Sequence, residues 1–120
     1  MGCRIRVCFG MLSSLLAQAA AAGECLSRPE RFELTSDTVY WNFSLPAGAE
    51  CLQGLRGKTQ LLYRVNLVEP PRSGQVVISG PSFRYLAGES PANERFKIEV
   101  EGENLRRHGT SLIVVDVAVK

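Results

Sequence analysis

The feature that most constrains this chain is the two-residue periodicity of its second half, cut into short ribbons by proline and glycine. From Arg95 to Glu101, apolar Phe96, Ile98 and Val100 alternate with Arg95, Lys97, Glu99 and Glu101. Successive side chains of a strand point to opposite faces, so this spacing predicts an antiparallel strand with one dry face and one wet face. Thr110 to Val119 repeats the pattern, with Ile113, Val115, Val117 and Val119 on one face. Its second face carries Leu112, Val114 and Ala118, interrupted by Asp116. Pro70-Pro71, Gly74, Gly80-Pro81 and the Gly88 to Pro91 stretch break the chain at intervals of roughly 8 to 12 residues, the rhythm of a sandwich or barrel. The predicted fold class is all-β, an antiparallel sandwich of about six to eight strands.

The earlier segments fit that class. Val39, Trp41, Phe43 and Leu45 alternate with polar neighbours, which predicts a strand over Thr38 to Leu45 with Trp41 as a packing centre. Asn42-Phe43-Ser44 has the form of a glycosylation sequon, but the middle of a strand is a poor place for a glycan. Gln60 to Val68 reads as a strand with Leu61, Tyr63, Val65 and Leu67 inward; Gln75 to Ser79 and Ser82 to Leu86 follow as shorter ones. Glu24 to Ser36 reads as an extended lead-in, with Phe32 and Leu34 marking a short edge strand. Cys51 to Lys58, Ala87 to Asn93 and Gly102 to Gly109 read as loops, the last of them polar and exposed.

The first residues bear on the compartment. Two arginines without an acid, an apolar run from Phe9, and the small residues up to Gly23 have the n-region, h-region and cleavage pattern of an export signal spanning residues 1–22, cut after Ala22. The uncharged run is short of the ~20 residues a membrane-spanning helix needs, so no span is expected after cleavage. Glu24 sits where a lipoprotein signal requires a small residue, which disfavours a lipid anchor on Cys25. Cys3 and Cys8 leave with the signal, and Cys25 and Cys51 remain as an even pair, read as one structural disulfide. A periplasmic or secreted protein is the expectation.

Little chemistry accompanies this fold. The formal charge of +2 is near balance and the basic residues are scattered, so the footprint of a nucleic-acid binder is missing. No glycine-rich phosphate cradle opens a helix, and neither a cofactor nor a metal is expected, since His108 is the sole imidazole.

Pro70-Pro71-Arg72-Ser73-Gly74-Gln75-Val76, Gly80 with Phe83-Arg84-Tyr85, Phe96-Lys97-Ile98-Glu99-Val100 and Gly109-Thr110-Ser111 before a valine-rich end together resemble the bacterial Ig-like and cadherin-like modules of small exported proteins. The resemblance runs from about Val65 to Val119 and implies an Ig-like sandwich across residues 23–120. Asn93 and Glu94 stand where the family more often has Gly and Asp, so the calcium ligation of cadherins does not carry over.

The expected role is non-catalytic contact with a protein or a cell-envelope component. Arg106, Arg107 and His108 would meet an anionic surface from the loop Gly102 to Gly109, and Leu112 and Val114 would stay available on the last strand as a binding edge. Ordinary surface charge and ordinary packing are the plain readings of the same residues. The alternatives are an accessory or inhibitory subunit of a periplasmic enzyme, acting by strand addition, and a small hydrolase in which His108 converges with Glu99 or Glu101.

Overall fold

A computed structural model describes residues Gly23 to Lys120, and the export signal expected over residues 1–22 lies outside the described residues. Among the described residues, eight strands form two four-stranded sheets. They are β1 (Gly23–Glu24), β2 (Asp37–Leu45), β3 (Glu50–Gly54), β4 (Gln60–Glu69), β5 (Gln75–Ser79), β6 (Ser82–Leu86), β7 (Ala92–Asn104) and β8 (Arg107–Val119). One sheet has the order β1-β3-β6-β5 and the other β2-β8-β7-β4. With β1 and β2 taken as the two halves of a split first strand, these are the two strand orders of an immunoglobulin sandwich.

The pairing is not wholly antiparallel, as the alternation suggested. β1 joins β3 and β2 joins β8 in parallel. The reason is the lead-in: the chain leaves the first sheet after Glu24, crosses the end of the sandwich, and enters the second sheet running in the same direction as the last strand. Parallel strands need such a crossover, which a tight hairpin cannot supply.

The core lies between the sheets, where the alternation placed it. Phe96, Ile98 and Val100 of β7 and Ile113, Val115, Val117 and Val119 of β8 are buried, as are Val39 and Trp41 of β2. Phe83 and Tyr85 reach across from β6. Phe83 meets Phe96 edge-on with centroids 5.4 Å apart, Tyr85 stacks on Phe96 at 5.8 Å, and Phe43 meets Tyr85 edge-on at 5.8 Å. Such pairs contribute about 0.5–1.5 kcal/mol each beyond the area they bury, and here they join one sheet to the other.

Several expectations are corrected. Glu50–Gly54 is a strand, not part of a loop; its inward set is Cys51 and Gln53, and the polar Gln53 breaks the apolar pattern. Its side-chain oxygen accepts the Leu26 N–H at 2.8 Å, extending the short β1 ladder. In β4 a bulge between Leu62 and Arg64 resets the faces: Val65 and Leu67 point in as expected, but Leu61 and Tyr63 are turned out, 50% and 55% exposed. Phe32 and Leu34 are buried in the core, yet they belong to an irregular plug and not to a strand. The supposed loop Gly102 to Gly109 is a hairpin continued almost to its tip, with only Leu105 and Arg106 between β7 and β8. Both have positive φ, 52° and 71°, as a primed two-residue turn demands.

Within that hairpin Gly102 and Gly109 face each other in register. A Cβ on Gly109 would lie 1.9 Å from the Leu34 carbonyl oxygen, and one on Gly102 would lie 2.1 Å from that of Leu61. The paired glycines thus admit the plug on one side and the bulged β4 on the other.

Candidate functional site

The strand directions bring four segments to one end of the sandwich: the plug between β1 and β2, the β3–β4 loop, the β5–β6 turn and the β7–β8 turn. The plug is built around Asp37. Its carboxylate accepts the N–H of Glu33 at 2.9 Å and of Thr35 at 3.1 Å, and the hydroxyl of Ser111. Burial works against that charge, but the Ser111 hydroxyl and the two N–H groups outweigh it and hold Asp37 below the ordinary carboxylate range. Ser111 Oγ accepts the Leu34 N–H at 2.9 Å, and the Ser36 N–H reaches the Thr110 carbonyl at 2.8 Å. These contacts hold two non-glycine residues, Leu34 and Ser36, at φ 60° and 63°. Backbone of that kind persists only where the surroundings determine it.

The loops are tied to one another as well as to the sheets. The Leu55 N–H donates to Pro81 at 2.8 Å, and Thr59 Oγ1 lies 2.6 Å from Asn104 Oδ1. Gln60, buried, spans two of the segments: its amide donates to the Phe32 carbonyl at 2.6 Å and its oxygen accepts the Gly57 N–H at 2.9 Å.

This end holds five of the nine cations that have no carboxylate partner among the described residues, beside the acids Glu30 and Glu103. Arg4 and Arg6 apart, residues 23–120 carry 12 cations and 12 acids, so their balance is neutral. Three cations are paired, Arg64 with Glu101 at 3.1 Å, Arg95 with Asp116 at 2.7 Å and Lys97 with Glu69 at 3.4 Å, all on the outer face of the second sheet, whereas Arg72, Arg84, Arg107 and Lys120 have no carboxylate within 4.0 Å among the described residues. Among the described residues Arg28, Arg31, Arg56, Lys58 and Arg106 have no carboxylate within 4.0 Å. They border two neighbouring clefts of about 380 and 390 Å3, with Arg56 and Lys58 shared between them. Phe32, Trp41 and Leu55 form the floor of the first cleft, and exposed Leu105 stands beside Arg106 at the second.

Of the residues expected to act, Arg106 belongs to this end, at the tip of the hairpin. Arg107 and His108 lie in β8, exposed. His108 does approach Glu101, with Nε2 3.0 Å from the carboxylate, and it stacks against Tyr63 at 5.9 Å. That meeting is on an open sheet face with over half the histidine side chain exposed (57%), and no serine, threonine or cysteine side chain hydrogen-bonds it among the described residues. Glu99 is exposed on the same face, opposite Leu112. The idea of β8 as a binding edge is overturned: β8 lies between β2 and β7, Val114 is 3% exposed between Tyr40 and Lys97, and Leu112 is half-buried. The edges of this sheet are β2 and β4.

Cys25 and Cys51 are disulfide-bonded, which ties the start of the plug to β3. No group of His, Cys, Asp or Glu among the described residues is arranged to hold a metal ion. No helix of the described residues is long and apolar enough to cross a membrane.

At the opposite end the loops are closed on themselves. Glu94 is buried and accepts the N–H of Ser73 at 2.9 Å, the N–H of Gly74 at 3.1 Å and the Tyr85 hydroxyl. Burial raises the Tyr85 phenol strongly, and the neighbouring Glu94 carboxylate raises it further. A Cβ on Gly74 would fall 2.5 Å from that hydroxyl, so the contact fixes the turn after Pro70-Pro71.

Fold and site together define an all-β sandwich with immunoglobulin strand order, one end whose turns are tied by Glu94, and an opposite end where five cations border two clefts. No family model matches the chain. No curated protein matches it. A solved structure described as PbICP-C in complex with falcipain-2 is similar at 13% identity, with a TM-score of 0.39, over 83% of this chain and 100% of that one. So distant a likeness has no bearing on function.

The lone signals that the sequence carried for this site were Arg106 and its neighbours. Arg28 and Arg31 lie 25 or more residues before Arg56 and Lys58, and only the strand order gathers the two pairs.

Proposed function

We propose that this protein is a non-catalytic Ig-like binding module of an oxidising, extracytoplasmic compartment, and that it engages an anionic protein or cell-envelope component through its cationic end. The observation that carries the reading is the gathering around two neighbouring clefts of five of the nine cations that have no carboxylate partner among the described residues. Cations held without partners raise the local potential and steer acidic partners. The disulfide supports the compartment, because such bonds persist outside reducing cytosol. The resemblance to exported bacterial Ig-like modules agrees with loop-borne contact, the usual mode of such sandwiches.

Binding of the purified protein to a polyglutamate-coated surface, measured against salt, tests this. Arg56→Glu with Arg106→Glu should abolish retention, while Arg72→Glu with Arg84→Glu, an equal change of net charge elsewhere, should leave most of it. Equal losses in the two pairs would reduce the effect to net charge and end the reading.

A further inference from the structure

We infer that the cleft between the plug and the β3–β4 loop receives an acidic peptide segment bearing a bulky apolar side chain; this rests on the function proposed above and names its partner's chemistry. The cleft has a volume of about 380 Å3 and is shaped for more than a bare ion. Its floor is formed by the core residues Phe32, Trp41 and Leu55, only 3%, 2% and 5% exposed, and its rim carries Arg28, Arg31, Arg56 and Lys58 against a single acid, Glu30. The Glu30 carboxylate accepts the Tyr40 N–H at 3.4 Å, and its backbone carbonyl accepts the Trp41 indole N–H at 2.7 Å, so four cations face one acid. A ligand complementary to this arrangement presents carboxylates to the rim and an apolar group to the floor.

The site is organised before anything binds. Gln60 bridges its two walls, from Phe32 to Gly57, and the disulfide fixes the origin of the plug. The terminal nitrogen of Arg31 lies over Gly57, 3.3 Å from where a Cβ would stand, so the lack of a side chain there lets the guanidinium lean across the cleft. Preorganised polar groups lose less entropy on binding than mobile ones. A concave cleft with an apolar floor favours an inserted chain segment over a broad lipid surface, which would meet the rim alone.

Trp41 is the single tryptophan of the chain and lines the cleft, so its emission reports occupancy directly. The purified protein is titrated with a short peptide alternating glutamate and leucine, its glutamine counterpart, inorganic phosphate, and vesicles of anionic phospholipid. The acidic peptide should shift Trp41 emission saturably and the glutamine peptide should not. Arg31→Gln and Lys58→Gln, both exposed, should each weaken the acidic peptide about tenfold, the loss expected for one charge-assisted contact, while Arg84→Gln leaves it unchanged. An emission shift with phosphate or vesicles equal to that with peptide overturns the inference, as does a silent Trp41. If Trp41 stays silent while salt-dependent retention on polyglutamate persists, the cleft assignment fails and the cationic end stands; loss of both removes the functional reading itself.

Discussion

Arg106→Gly should make this protein more stable and a weaker binder. Arg106 sits in the two-residue β7–β8 turn at φ 71°, next to Leu105 at 52°. Left-handed backbone costs an L-residue about 1–2 kcal/mol, and glycine adopts it freely. Glycine also loosens the unfolded chain, which returns about 0.4–1 kcal/mol, so the net gain is about 0.5–1 kcal/mol. For a domain of this size that corresponds to a rise in Tm of about 3–6 °C. The same substitution removes one cation from the loop end, so retention on polyglutamate should fall. Leu105→Asn separates the two effects: asparagine tolerates the left-handed region, and Leu105, 72% exposed, has little packing to lose. It should stabilise the hairpin and leave binding intact. Thermal unfolding and salt-dependent retention are measured on all three proteins. A lowered Tm for Arg106→Gly would refute the turn argument, and undiminished binding would remove Arg106 from the site.

Reducing Cys25–Cys51, which spans 26 residues, should cost about 3.5 kcal/mol by loop entropy, read as a fall in the urea midpoint with dithiothreitol. Glu94 is held below the ordinary carboxylate range, because the N–H groups of Ser73 and Gly74 and the Tyr85 hydroxyl outweigh a burial that works against its charge. A depressed carboxylate stabilises the fold above its unfolded pKa of about 4.3, and that contribution is lost as pH falls through the lower folded value. Glu94→Gln should therefore destabilise the protein by about 1–3 kcal/mol at neutral pH and by progressively less below about pH 4, as shown by urea titrations across that range. Gly109→Ala places a Cβ 1.9 Å from the Leu34 carbonyl and should cost about 3 kcal/mol or more, seen as a lowered urea midpoint or loss of soluble protein.

The strands that periodicity made legible are those with one apolar face and one charged face. Phe96, Ile98 and Val100 of β7, and Ile113, Val115, Val117 and Val119 of β8, lie inward as the alternation requires because no polar residue interrupts those runs, whereas Val114 on the other face is buried too. β3 was hidden by Gln53, an inward polar residue whose value lies in a hydrogen bond to Leu26, twenty-seven residues away along the chain. In β4 the alternation of Leu61, Tyr63, Val65 and Leu67 was unbroken in sequence but reset by a bulge, an event that leaves no mark on a hydrophobic pattern. Phe32 and Leu34 were legible as apolar but not as a plug, since their conformation depends on Asp37 and Ser111, the second of them 77 residues from Leu34. The functional end was least legible, because it is assembled from separate segments by topology and no single stretch carries its charge pattern.

The central claim, that the cationic end is the binding surface, is tested most directly by mapping amide chemical shifts of isotope-labelled protein as the acidic peptide is added. The account predicts that the largest changes fall on Arg28 to Phe32, Leu55 to Lys58 and Leu105 to Arg107. Largest changes at Ala47 to Gly48 and Gly88 to Glu89, at the opposite end, or along the outer face of β7 and β8, would contradict it.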